Sequence, residues 1–308
     1  MILLSLLSAG CIHENSDCPA DNNFVMKFSL ADNAGNDIFN DNINSIDVLF
    51  FDAECKFIMR KSYSPATLDT DRSTTVTLSP GEYKIVCWAN VQDNSGFCGF
   101  TEGATLFSDC YVEIPETATT GGDKVYYSPY SDHPDSRSGG VFTRVGEDYS
   151  YYTVTIPNSE TVTKEYGFAR AHRTVNVFIS GLDDSPQGVR MQPTVDAMNM
   201  WCRYDFFFNT QSLRRHFSRQ SSRITVETGE MDLAAFHSAY GEITDDIDLI
   251  INRASDNAEI ASVNLRQFVT DNPPADKSEI NILVSFLDDH SVTITVPEWI
   301  EKPVVPGV

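Results

Sequence analysis

The chain has 308 residues, 41% of them hydrophobic and 11% aromatic, which is the composition of a folded protein and not of a disordered one. Asp and Glu number 44 against 22 Lys and Arg, leaving a formal charge of −22. So acidic a surface repels phosphate backbones and excludes nucleic acid as a partner, while keeping an exposed protein dispersed.

From the start, MILLSLL is apolar except for Ser5, and the small residues Ser8, Ala9 and Gly10 lead to Cys11. This reads as a short export signal, because a membrane span needs about 20 apolar residues. A Cys after Ala-Gly is the acceptor of the bacterial lipoprotein pathway. Its thiol takes a diacylglycerol, cleavage falls between Gly10 and Cys11, and Cys11 heads the mature chain. Residues 1–10 are then the signal and 11–23 a lipidated tether. With Cys11 set aside, six cysteines remain: Cys18, Cys55, Cys87, Cys98, Cys110 and Cys202. An even number suits disulfides in an exported protein, with buried free thiols as the alternative; the pairing is not legible. No CxxC pair occurs and the histidines are scattered singly, so no metal site is expected.

The periodicity beyond the tether is that of β-structure, with short alternating runs bounded by Gly, Pro, Asn or Asp. Strands are expected at 24–30, 46–52, 56–63, around Val76 and Leu78, and at 82–90 and 110–114. Others follow at 149–156, 173–179, 198–208, 224–226, 247–252, 260–265, 280–287 and 292–296. Residues 231–240 (MDLAAFHSAY) read as a short helix on the propensity of Ala234 and Ala235. Residues 116–148, rich in Gly, Ser, Asp, Pro and Thr, form a long irregular excursion, and the polar stretch 157–166 reads as a linker. The expected architecture is all-β: two tandem antiparallel β-sandwich domains, 24–160 and 161–308, with one or two short helices.

The familiar catalytic signatures are missing from the sequence: no G-x-S-x-G elbow, no H-E-x-x-H pair, no phosphate-binding loop. No enzymatic role and no cofactor are expected. Acidic clusters such as 32–37 and Asp245, Asp246 and Asp248 could hold calcium, but Asp and Asn are the ordinary turn formers of β-proteins. Arg214, Arg215, Arg219 and Arg223 with His216 read as a solvated loop or strand edge. Trp88 and Trp201 lie in apolar strands and are expected in the core. Tyr126, Tyr127 and Tyr130 fall in the long excursion; they are candidates for binding a sugar or a neighbouring subunit, or for pinning the loop to its own domain. His172, between Arg170 and Arg173, is expected to hydrogen-bond at the interdomain contact.

Three stretches carry a resemblance: CIHENSDCP at 11–19, TVTLSPGEYKIVCWANV at 75–91 and YGFARAHRTVNVFISGL at 166–182. With the closing TVPEW they resemble the fimbrillin-associated anchor subunits of Bacteroidales type V pili. The resemblance implies two transthyretin-like sandwiches on an outer-membrane lipoprotein. It further implies partners of fimbrillin type joined by strand exchange, and a role in anchoring the polymer and limiting its length. Pro297, Pro303 and Pro306 make the C-terminal segment a poor donor strand, as an end-member requires. A surface glycan-binding lipoprotein, or a tip or accessory pilin of the same fold, are the alternatives.

Overall fold

The computed structural model describes residues 23–32, 34–128, 148–182, 192–226, 229–274, 276, 278–289 and 291–301. Nearly all of its regular structure is strand, arranged in several mainly antiparallel sheets.

The N-terminal unit is built around Ile46–Phe51 (IDVLFF), which is buried on both faces. A strand covered on both sides needs no alternation, and this one reads as a continuous apolar run. Its one acid, Asp47, is 3% exposed and accepts from Arg60 Nε and from the Ser62 hydroxyl, so the buried charge is paired and solvated by the protein. Around it runs a sheet in the order Ala169–Arg170, Tyr126–Ser128, Gly81–Ala89, Ile46–Phe51, Phe57–Tyr63, with Thr153–Ile156 also pairing Gly81–Ala89.

A smaller sheet covers one face. Its central strand, Phe24–Ser29, alternates strictly and sends Phe24, Met26 and Phe28 into a core with Val48, Phe50, Ile85 and Cys87. That strand pairs antiparallel with Ser73–Val76 and parallel with Val162–Gly167, Phe24 opposite Val162. Asn23, at its head, hooks the backbone of Leu78 both ways: Nδ2 donates to the Leu78 carbonyl at 2.7 Å and Oδ1 accepts its N–H at 2.9 Å. Of the stretch expected as a linker at 157–166, residues 162–166 belong to the strand Val162–Gly167, and Ala169–Arg170 also pairs with a strand of the first sheet.

The C-terminal unit is a sandwich. One sheet runs Ser222–Val226, Gly229–Ala239, His172–Ser180, Glu279–Phe286, Val292–Thr295; the other runs Arg214–Gln220, Thr194–Trp201, Asp248–Asn252, Glu259–Asn264. Val175, Val177, Ile179, Ile280, Ile282 and Val284 face Val195, Phe217, Leu249 and Ile251 across the core. His172–Ser180 and Glu279–Phe286 pair in parallel, a departure from the purely antiparallel expectation.

The helix expected at 231–240 is an eleven-residue strand, Gly229–Ala239, paired on both sides. Between them two neighbouring strands pair with every residue of the segment, His172–Ser180 with 232–239 and Ser222–Val226 with 229–233, and this outweighs the helix preference of two alanines. The alternation was present in Ala234, Phe236 and Ser238 pointing inward, masked by small side chains. The described helices lie elsewhere. Leu265–Asp271 starts where the Asn264 side chain accepts the Gln267 N–H, and short turns occupy Phe39–Asn42 and Glu298–Glu301.

The single strand expected at 198–208 is broken. Thr194–Trp201 stays in the C-terminal unit, whereas Arg203–Asp205 pairs with Tyr111–Glu113 of the N-terminal unit, and Tyr111–Glu113 in turn pairs with Gly96–Phe97. The chain then turns sharply: Asp205 Oδ1 accepts from the Phe207 and Asn209 N–H groups, and Phe208 takes a left-handed φ of 62°. Phe206, Phe207 and Phe208 are thereby delivered into the N-terminal core.

Truncating Phe206 therefore opens a cavity shared by both units, and Phe206→Ala is expected to cost about 3–5 kcal/mol. In urea denaturation the whole transition should move to lower midpoint as one step. Two separated transitions, with only the first displaced, would show that the units unfold independently.

Candidate functional site

Of the residues singled out in the sequence, Trp88, Tyr126, Tyr127 and His172 lie at or near the junction of the two units. Tyr126 and Tyr127 sit on a central strand with 1% and 0% exposure, so neither can present a ring to a sugar or a partner. They point to opposite faces of the sheet. The Tyr126 hydroxyl donates to Asn42 Oδ1 at 3.1 Å. The Tyr127 hydroxyl donates to the Phe206 carbonyl at 2.8 Å, which leaves Tyr152 as the donor in the 2.6 Å contact between the two phenols. Burial pushes the Tyr126, Tyr127 and Tyr152 hydroxyls above their ordinary pKa. Own-domain packing is the role found for the first two. Tyr130, like Gly10, Cys11, Cys18 and the prolines at 303 and 306, lies outside the described residues.

The exchange between units is reciprocal. Tyr204, Phe206, Phe207 and Phe208 from the C-terminal half pack among Leu49, Trp88, Phe107, Tyr127 and Tyr152 of the N-terminal half. Trp88 is fully buried there, as its strand position implied. In return Ile114 and Ala118 enter the C-terminal core. The segment that carries them is stitched down by hydrogen bonds from Ile114 N–H to Cys202, Ser218 N–H to Thr119, and Gly122 N–H to His237, each at 2.8 Å. Arg203 forks onto Glu113 across the seam and lies over the Tyr111 ring at 4.1 Å. Gly121 is required by the close approach: its φ is +104°, and a Cβ there would stand 3.2 Å from the His237 backbone.

His172 takes the place expected of it. Its Nδ1 lies 2.9 Å from the Val125 carbonyl, which can only accept, so Nδ1 carries the proton. Its ring meets that of His237 edge to face at 5.4 Å, and His237 Nδ1 lies 3.1 Å from the Thr174 hydroxyl. Burial holds the His172 pKa down to about 4 and that of His237 to about 3, the latter helped by repulsion from His172; Lys124, Arg170 and Arg219 push the same way. Both imidazoles are neutral in the fold.

The arginine cluster is a strand edge, as read. Arg214–Gln220 is the outer strand of its sheet, and its cations are spent internally: Arg214 on Asp246, Arg215 on the Ile114 carbonyl and Arg219 on the Ala235 carbonyl; Arg223, on the neighbouring Ser222–Val226, pairs with Glu230. Trp201 is half-buried under Arg214, its Nε1 donating to the Glu242 carbonyl. Cys55, Cys87, Cys98, Cys110 and Cys202 are all free thiols, so among the described residues the expected disulfides are not formed.

Two cavities among the described residues bear on the site. One beside His172 and Glu113 has a volume of about 10 Å³, room for a single water. The other, about 250 Å³, is lined by Asp32, Arg170 and Asp276, whose polar atoms are already engaged by Asn36, Asp276 and Ser278. Among the described residues no cluster of His, Cys, Asp or Glu could hold a metal, and no helix is long and apolar enough to cross a membrane.

Comparison with known proteins defines the class. The sequence pattern of the family described as fimbrillin-A associated anchor proteins Mfa1 and Mfa2 matches residues 15–304. This chain belongs to that family. No curated protein matches it. Among solved structures, an adhesin candidate from Bacteroides ovatus shares the fold at a TM-score of 0.64 and 17% identity, over 90% of this chain and 94% of that one. The fimbrial anchor protein Mfa2 from Porphyromonas gingivalis superposes at 0.57 with 13% identity, over 88% and 94%. A candidate polysaccharide-binding protein from Bacteroides thetaiotaomicron superposes at 0.62 with 11% identity, over 88% and 95%. At these identities the likeness is one of fold.

The neutral histidine pair gives the junction an acid limit. A pKa held below the unfolded value of about 6.5 means that stability is complete above that pH and falls as pH drops toward 4, by about 1.4 kcal/mol per unit for each imidazole. The melting temperature should therefore fall between pH 7 and pH 5, and fall less in His237→Gln. A flat wild-type profile over that interval would contradict this.

Proposed function

We propose that this chain is the membrane-held end-member of a fimbria. It is lipidated at Cys11, exposed on the outer membrane, and joined by strand exchange to fimbrillin-type subunits whose polymer it anchors and limits in length. The role is structural, with no catalysis, cofactor or nucleic acid. The observation that carries this reading is the family match over 15–304, which sets a fimbrial anchor-type chain directly behind the Ala9-Gly10-Cys11 motif. Residues 12–23 would form the tether into Phe24–Ser29. Two acyl chains on one cysteine suffice for lasting retention where a single chain would not.

The glycan-binding alternative needs solvent-facing aromatics, and Trp88, Tyr126 and Tyr127 are internal.

Cys11→Ala should move the protein, and any filament it holds, from the membrane pellet to the medium. Native outer-membrane pull-downs resolved on gels without boiling should give a heat-labile ladder containing fimbrillin-type subunits. Full retention of the variant in the membrane fraction would refute lipid anchoring; a monomer band alone would refute strand exchange.

A further inference from the structure

Two of the free thiols meet at the open edge of the smallest sheet. Gly96–Phe97 pairs antiparallel with Tyr111–Glu113, Phe97 opposite Val112, which sets Cys98 opposite Tyr111. The Cys98 N–H donates to the Tyr111 carbonyl at 3.0 Å, and the Tyr111 N–H reaches back to Cys98 Sγ at 3.4 Å. Cys110 is the next residue on that strand's approach. Its S–H has two acceptors in reach, Cys98 Sγ and the Leu106 carbonyl, the latter at 3.2 Å. Cys98 Sγ thus lies against the peptide bond that joins Cys110 to Tyr111, and the two thiols interact there.

We infer that Cys98 and Cys110 form a convertible thiol–disulfide pair, oxidised by exchange with a disulfide-bearing oxidoreductase or small-molecule disulfide. The Cys98 thiolate attacks the incoming disulfide and expels one partner thiol. Cys110, deprotonated in turn, attacks Cys98 Sγ and releases the second. Two protein thiols become one disulfide, and one partner disulfide becomes two thiols.

The pair is asymmetric in the way this sequence of steps requires. Cys98 is half-buried just past an edge strand, and the Cys110 S–H and Tyr111 N–H bring its pKa down to about 7 against the cost of burial. Cys110 is 1% exposed and held well above the ordinary thiol value by the same contact and by burial, so it is the resolving partner. Elsewhere burial raises Cys55 and Cys87 and pushes Cys202 up to about 12, which leaves those thiols inert.

The bond would close a loop that reaches the interunit junction. Phe100 stacks on Phe57 at 4.7 Å, and Phe107 packs against Phe51, Tyr152 and Phe206. Oxidation would restrict the unfolded freedom of the segment that carries both rings and stabilise their placement.

Glu102 lies between the two cysteines, and no Lys or Arg does, so cleavage after Glu separates them where trypsin cannot. The full chain, purified reduced, is equilibrated with glutathione disulfide, blocked with iodoacetamide and digested after Glu. The expected product is a linked peptide pair lighter by two hydrogens, dissolved by dithiothreitol and lost in C98S and in C110S. Reduction should also lower the melting temperature of the oxidised protein and leave that of C98S unchanged. Carbamidomethylation of both Cys98 and Cys110 after equilibration would overturn the inference, as would a link from either to another cysteine such as Cys18. Fragmentation of the linked pair from the wild-type digest must place the bond on Cys98 and not on Cys87, which shares its peptide, and this decides the matter even where a serine variant fails to fold.

Discussion

The constraint on which the rest of the molecule depends is a mutual insertion. Each unit fills a gap in the other's core: Phe206–Phe208 in one direction, Ile114 and Ala118 in the other. The hydrogen bond from Tyr127 to the Phe206 carbonyl fixes the depth of the first insertion, and the Gly122 contact with His237 fixes the second. Neither filler can leave without exposing several aromatic or aliphatic faces at once, each contributing about 1.5–3 kcal/mol by its burial. The neutral imidazoles, the Gly121 close approach and the Arg203–Glu113 fork all lie along this seam and presuppose it.

That seam explains which features the sequence disclosed and which it did not. Strands with one buried face, such as Phe24–Ser29 and Glu279–Phe286, announce themselves by alternation, and the doubly covered Ile46–Phe51 by a continuous apolar run. Their neighbours are another matter. No local pattern says that Phe24–Ser29 will lie parallel to Val162–Gly167, because register is a property of two distant segments. The strand at Tyr126–Ser128 is hidden for a related reason. Its flanks are rich in Gly, Ser and Pro, and only the arrival of Ala169–Arg170 and Gly81–Ala89 makes a strand of it. Three consecutive phenylalanines at 206–208 could have been the better clue: a strand cannot bury three successive side chains on one face, and Asp205 with Asn209 marks a turn around them.

The family assignment and the interior together shift attention from ligand chemistry to assembly. Among the described residues many aromatic side chains are consumed in the junction, and the polar groups of the cleft lined by Asp32, Arg170 and Asp276 are engaged. An outer sheet edge stands exposed among the described residues. Leu287, Val292 and Ile294 are over a third exposed, and all lie on or beside the outer strand Val292–Thr295. Unpaired edges of this kind are where backbone hydrogen bonding to another chain is least costly.

Asn23 adds a mechanical meaning to the first sheet. Tension applied on the N-terminal side of the described fold arrives first at its two-way amide hook on Leu78, then runs along the axis of Phe24–Ser29. The ladder bonds of that strand lie across the direction of pull, six register pairs on the Val162–Gly167 side and four on the Ser73–Val76 side. They must shear together instead of unzipping one at a time. Resistance to such a force is set by the rate of strand extraction and not by equilibrium stability. A protein of modest thermodynamic stability can therefore hold a load on this strand for far longer than its folding free energy implies.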